Sequence, residues 1–208
     1  LRTLVYRKDT TGEMIIPELD LSALSHLEEL RVSGWFRVKK LVVCYGNDRK
    51  TPRLRISYSI VEEIEIQGDH MVDDTIIMPS LIFDGNHLGP PLPLLGCQNI
   101  DNKIVIERLA SNFCNAEYLR NLSEKNIQVK YIDLRHSVFS SLADIPVSKL
   151  EFLRVRGVEL LRNRNQFQYL KNAPRLRFIT LTGTRKFDPD GEAEFVEQAE
   201  AVGFVREH

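Results

Sequence analysis

The chain has 208 residues, with 28 Lys and Arg against 29 Asp and Glu for a formal net charge of −1. A balance this close gives no overall attraction to nucleic acid or to an anionic membrane. Hydrophobic content of 43% and charged content of 27% are those of a folded domain, and no apolar run approaches the roughly 20 residues of a bilayer span.

In chain order, "LRTLVY" at the start reads as a strand, and because it opens without Met the chain is expected to begin inside a longer protein. From Leu27 onward one phrase recurs: an apolar residue, two others, an apolar residue, one other, an apolar residue, one other, glycine. It reads "LEELRVSG" from Leu27, "VEEIEIQG" from Val61, "MPSLIFDG" from Met78, "LEFLRVRG" from Leu150 and "LRFITLTG" from Leu176. The glycines fall at Gly34, Gly68, Gly85, Gly157 and Gly183, five of the eleven in the chain. Unrelated strands ending in turns would let that glycine wander, so the phrase is a repeat.

Weaker copies are "VKKLVVCYG" from Val38, with Gly46 one residue late, and "VKYIDLRHS" from Val129, with His136 in the glycine place. "NKIVIERL", from Asn102, is a degenerate copy between Met78 and Val129. The spacings from 129 to 150 and from 150 to 176 suit leucine-rich repeats. That from 27 to 38 is far too short for them, and that from 61 to 78 is tight. "NAEYLRNLSEKN" and "VELLRNRNQFQYLKNAP" carry apolar residues three and four apart, the spacing of amphipathic helices. Residues 188–208 read as a C-terminal capping helix and short strand.

These phrases, with helices between them, resemble leucine-rich repeats of the long, irregular, helix-containing kind found in the substrate-binding halves of F-box proteins. The stretch "VEEIEIQGDHMVDDTIIMPSLIFDGN" is similar to F-box-associated repeats. The resemblance implies an α/β fold: one domain over residues 1–208, an irregular leucine-rich-repeat solenoid with parallel strands on a concave face and helices on the convex face from about residue 107 onward. Strands near 30–32, 64–66, 81–83, 132–134, 153–155 and 179–181 are expected in one parallel sheet. "IIPELDLSALSHL", from Ile15, opens somewhat like an F-box, but it lacks the two helices that follow and reads as the approach to the repeat at Leu27.

Residues alternating with the core positions should line the outer strand surface. In the C-terminal copies this gives Tyr131, Phe152 and Phe178 in one column, with Arg135, Arg154 and Arg156 beside them. Aromatic and arginine side chains are the types that dominate interface energetics, so these six are the expected protein-binding residues. N-terminal columns are acidic around Glu29, Glu63 and Glu65.

Chemistry has little support. The phosphate-loop, nucleophile-elbow, zinc-protease and dinucleotide motifs are absent. Asp84 near His87 in "DGNH" lacks the further partners that acid–base geometry needs. Cys44, Cys97 and Cys114 are odd in number and far apart, so a reducing compartment, cytoplasmic or nuclear, is expected. The five histidines never stand at ligand spacing with cysteine; no metal and no cofactor is expected. The apolar, proline-rich stretch Leu88 to Gly96 reads as a loop packed over the solenoid.

The functional expectation is a non-enzymatic protein-recognition domain, the substrate receptor part of an F-box-type ubiquitin ligase subunit. An upstream segment would bind the ligase adaptor, and neither nucleic acid nor membrane is a partner. The alternative is a leucine-rich sensor fragment of a nucleotide-binding immune receptor, which "LRTLVYR" and "LSHLEELRVSG" also resemble.

Overall fold

A computed structural model describes residues 1–9, 12–68, 75–84, 93–97, 103–112, 116–125, 127–135, 143, 145–156 and 173–182. The chain forms two compact units, Leu1–Arg108 and Leu109–His208.

The first unit is a parallel β-solenoid with two principal sheets. One takes β1 (Thr3–Arg7), β3 (Glu29–Ser33), β5 (Arg53–Ser57), β8 (Leu81–Asp84) and β10 (Lys103–Ser111). The other takes β2 (Met14–Leu21), β4 (Phe36–Cys44), β6 (Ile60–Gln67) and β9 (Leu94–Cys97). The chain alternates between the sheets, so each coil adds one strand to each. A third, shorter face joins β7 (Thr75–Met78) to the start of β10 and bridges Lys50 to Ile77.

Register explains the recurring phrase. Leu30, Leu54 and Leu81 stack on successive strands of the first sheet, as do Val32, Ile56 and Phe83. In the second sheet Leu19, Leu41, Ile64 and Leu95 stack, beside Leu21, Val43 and Ile66. Leu30, Val32, Leu41, Val43, Leu54, Ile56, Ile64, Ile66, Leu81 and Phe83 are all buried. Parallel sheets hold such ladders because neighbouring strands lie about 4.8 Å apart, so identical positions pack on one another. Both sheets use the same phrase, and that removes the short spacings. Leu27 opens a strand of one sheet and Val38 a strand of the other; Val61 and Met78 divide likewise.

The corner between sheets requires a left-handed backbone. Gly34 adopts φ +114°, and its N–H donates to the Ser57 carbonyl at 3.2 Å. One coil on, Tyr58 takes φ +53° and its N–H donates to the Asp84 carbonyl at 3.0 Å. Ser59, buried beneath this corner, donates its hydroxyl to the Gly34 carbonyl.

The second unit contains α1 (Ala116–Glu124), β11 (Gln128–Arg135), β12 (Phe152–Arg156) and β13 (Phe178–Thr182). The three strands pair in parallel and in register: Ile132 with Leu153 and Ile179, Leu134 with Val155 and Leu181. One turn introduces strands in both units. The N–H of Leu27, Leu150 and Leu176 donates to the carbonyl of Leu24, Val147 and Ala173 respectively.

The expected α/β architecture is corrected: strands dominate, and α1 is the one α-helix among the described residues. Helices were expected on a convex face from about residue 107, but residues 107–111 continue β10. Burial alternates there as in a strand, with Leu109 and Ser111 buried and Ala110 between them half-buried. The expectation of a single sheet is corrected too. Residues 64–66 lie in the second sheet, while residues 30–32 and 81–83 lie in the first with β5 between them. The approach segment at 15–21 is itself strand β2, paired with β4. Part of the proline-rich stretch is β9, with Leu95 buried against β6 and Leu94 exposed. The second expected helix, the C-terminal cap at 188–208 and His87 lie outside the described residues.

Candidate protein-recognition surface

In the second unit, register assembles the column expected from the sequence. Tyr131 pairs with Phe152, and Phe152 with Phe178. The Tyr131 and Phe152 rings stack with centroids 4.4 Å apart and planes 6° from parallel. Both side chains are half-buried, between the buried Ile132 and Leu153 of the core and full exposure. Asp133, Arg154 and Thr180 form the next outward column, and Arg135, Arg156 and Thr182 the third. Arg154 is half-buried and Asp133 buried. For Phe178, Arg135 and Arg156 the structure fixes the strand position; their side chains lie outside the described residues.

Such an arrangement is suited to binding. A flat aromatic ladder on a rigid sheet offers area at low cost in side-chain ordering, because tyrosine and phenylalanine have only two flexible torsions. Arg154 beside it adds a planar guanidinium able to pair with carboxylates or carbonyls.

Outer faces of the first unit are charged and tied across coils. On the first sheet Arg31 stands beside Arg55, and Glu29 beside Arg53. Arg31 donates to Glu29 at 2.9 and 3.1 Å, and that hydrogen bond holds the Glu29 carboxyl below its ordinary range. Arg55 donates to Asp84, one strand on, at 3.0 Å, so the carboxylate of "DGNH" serves an inter-coil ion pair. On the second sheet Glu18, Lys40 and Glu63 form one column, with Asp20, Val42 and Glu65 beside it. Lys40 lies 2.6 Å from Glu65 and Arg37 spans Glu13 and Glu62, at 3.0 and 3.3 Å. Hydrogen bonds from Lys40 and then Gln67 lower the Glu65 pKa, while Glu65 raises that of Lys40.

Sequence reading missed the Arg53 and Arg55 positions. The copy carrying them, "TPRLRISY", has Thr51 in place of the first apolar residue and Tyr58 in place of glycine. Thr51 is nevertheless buried as its counterparts are, so the signal lay in "LRI" alone. Among the described residues no group of three or more His, Cys, Asp or Glu is placed to hold a metal ion. No described helix is long and apolar enough to cross a membrane.

No protein-family model matches the chain, and neither a curated protein nor a solved structure matches it.

Proposed function

We propose that the chain is a non-enzymatic protein-recognition module whose partner seats on the outer face of β11, β12 and β13. The observation that carries this reading is the stacked Tyr131–Phe152 pair, with Arg154 two residues on from Phe152 in the next outward column. Aromatic and arginine anchors on a flat, rigid surface are the groups that dominate protein interfaces. The narrower reading, the substrate-receiving part of an F-box-type ubiquitin ligase, rests on the resemblance of "LEFLRVRG" and "LRFITLTG" to such receptors. Upstream coding sequence decides that point: an F-box there supports it, and a nucleotide-binding domain replaces it with the immune-receptor reading.

Two adjacent substitutions test the surface. Leu153 is buried, so Leu153→Ala should cost ~2–5 kcal/mol of stability through lost burial and the cavity left. Phe152→Ala removes one ring of a half-buried stack and should cost about 1 kcal/mol of stability. It should weaken capture of the partner by ~2 kcal/mol, as truncating an interface anchor does. Thermal melts and affinity capture from cell extract separate the two. Equal destabilisation by both variants makes Phe152 a core residue and removes the site.

A further inference from the structure

Where the chain crosses from the first sheet to the second, two neighbouring coils each turn one side chain inward and an aromatic one outward. Ser33 pairs with Ser57 before this corner and Arg37 with Ile60 after it, so Gly34, Trp35 and Phe36 of one coil align with Tyr58 and Ser59 of the next. Phe36 and Ser59 are buried, whereas Trp35 is 60% and Tyr58 54% exposed. Two large aromatic side chains thus stand on successive coils of one outer corner, with backbones about 4.8 Å apart.

The backbone beneath both rings is fixed. The Phe36 N–H donates to the Gly34 carbonyl at 2.8 Å, a tight turn centred on Trp35. The Trp35 carbonyl accepts from the Met14 N–H at 2.8 Å. Tyr58 holds φ +53°, a left-handed conformation that the preceding coil gives to Gly34 and that a bulky L-residue adopts only under strain. An exposed ring adds little to the core. Its retention where glycine would be unstrained points to a use for its outer face.

The surroundings select the ligand. Ser33 and Ser57, both half-exposed, border the rings on the side of the first sheet. On the other side Arg37 spans Glu13 and Glu62, at 3.0 and 3.3 Å. Arg55 donates to Asp84, Arg7 to Asp9, and Lys8 to the Gly12 carbonyl. Each of these cations is already engaged, so the corner lacks the bare positive charge that nucleic acid requires. An outer corner also has no rim to exclude water, as protein anchors need, and it is not the groove that a proline-rich segment enters. A neutral ligand with flat apolar faces and a hydroxyl edge that stays in water fits these features: a sugar ring. Its C–H face can lie on an aromatic ring while its hydroxyls donate to carboxylates and accept from guanidinium and serine groups.

We propose that this corner is a carbohydrate-binding site, in which Trp35 and Tyr58 form a platform for one neutral polysaccharide chain running across the coils. Ser33, Ser57, Arg37 and Glu62 supply the partners for its hydroxyls. The site belongs to the first unit and does not depend on the surface of β11, β12 and β13.

Trp35 is the only tryptophan in the sequence, so tryptophan fluorescence of the full chain reports on this corner alone. Titration with soluble neutral polysaccharides (hydroxyethyl cellulose, arabinoxylan, glucomannan and starch) should move the emission to shorter wavelength and shield it from acrylamide. Electrophoresis through a gel containing the responding polysaccharide should retard the chain. Tyr58→Gly relieves the left-handed backbone and so keeps the fold; it should weaken retardation by about tenfold, as loss of one stacking contact does. Trp35→Ala should weaken it similarly with an unchanged circular dichroism spectrum, and Tyr58→Gly keeps the test decisive if Trp35→Ala disturbs folding. No response to any of these polysaccharides overturns the proposal, as does a Tyr58→Gly chain that is retarded like the unaltered one. A response to heparin or to a proline-rich peptide in their place assigns the corner to an ionic or a peptide ligand and overturns it too.

Discussion

Gly34→Ala is the substitution most directly tied to how the solenoid turns. A Cβ at residue 34 would lie 2.5 Å from the Lys8 carbonyl oxygen and 3.1 Å from the Lys8 nitrogen and Cβ. Those backbone atoms cannot move aside freely, because the Lys8 N–H donates to the Ser33 carbonyl at 3.0 Å in the same ladder. The residue also stands at φ +114°, which L side chains rarely adopt. Holding a non-glycine residue there costs about 1–3 kcal/mol, and forcing an extra carbon into closed packing costs a further 1–3 kcal/mol or so. The sum is roughly 2–6 kcal/mol, a large fraction of the ~5–15 kcal/mol that keeps a domain folded. Urea unfolding should show a midpoint lowered in proportion, or a protein that no longer folds. A loss below about 0.5 kcal/mol, the range of ordinary surface changes, would refute the argument that β1 and the Gly34 corner pack as described.

The equivalent position one coil on has the opposite expectation. Tyr58→Gly relieves a left-handed backbone, which costs an L-residue about 1–2 kcal/mol, and adds the ~0.5–1 kcal/mol entropic cost of glycine. With the Tyr58 side chain 54% exposed, the urea midpoint should stay level or rise, and a clear fall would mean that the ring makes contacts this reasoning omits. Electrostatics give a separate expectation for the Lys40–Glu65 pair. The Glu65 pKa is depressed in the fold, so its contribution is present above the unfolded value and disappears as pH falls through the folded one. The Lys40 pKa is raised, so its contribution is present below the unfolded value and disappears as pH rises through the folded one. Glu65→Gln should flatten both limbs of a stability-versus-pH curve from urea midpoints; an unchanged acid limb would show that other carboxylates set it.

Much of the fold was legible because parallel register copies sequence spacing directly into space. In the second unit Tyr131, Phe152 and Phe178 align because the phrases at 129, 150 and 176 each enter their strand at the same offset. In the first unit the same phrase serves two sheets, and nothing in an apolar ladder says which sheet a copy joins. Val38 and Val61 carry the same pattern as Leu27 and Met78 because each strand needs the same inward face. The two-sheet division becomes visible only when Thr51 is accepted as a core residue, since "TPRLRISY" supplies the missing rung between β3 and β8. The expectation of helices from about residue 107 failed because β10 runs on to Ser111, past the degenerate copy of the strand phrase "NKIVIERL". Neighbouring strands, which a single segment does not reveal, decide such an extent.

The candidate surface was legible for a different reason, and only where the sheet assignment was unambiguous. Core positions repeat because every coil has the same inside; outward positions are free to differ, so an outward column of like residues is information beyond the fold. Glu29 and Glu63 fail that test, because they sit in different sheets and never form the acidic column their spacing implied. Tyr131 and Phe152 pass it, because adjacent strands bring their rings into contact at 4.4 Å. Stacking between outward aromatics also stabilises the sheet by about 0.5–1.5 kcal/mol, and that alone would preserve the pair without any partner. A ring that serves the sheet can be exchanged for another ring without consequence, whereas a ring that anchors a partner is held to a particular shape and polar tip. Tyr131→Phe therefore distinguishes the two roles: it keeps the stack and removes only the hydroxyl, so lost binding at unchanged stability would be evidence for recognition.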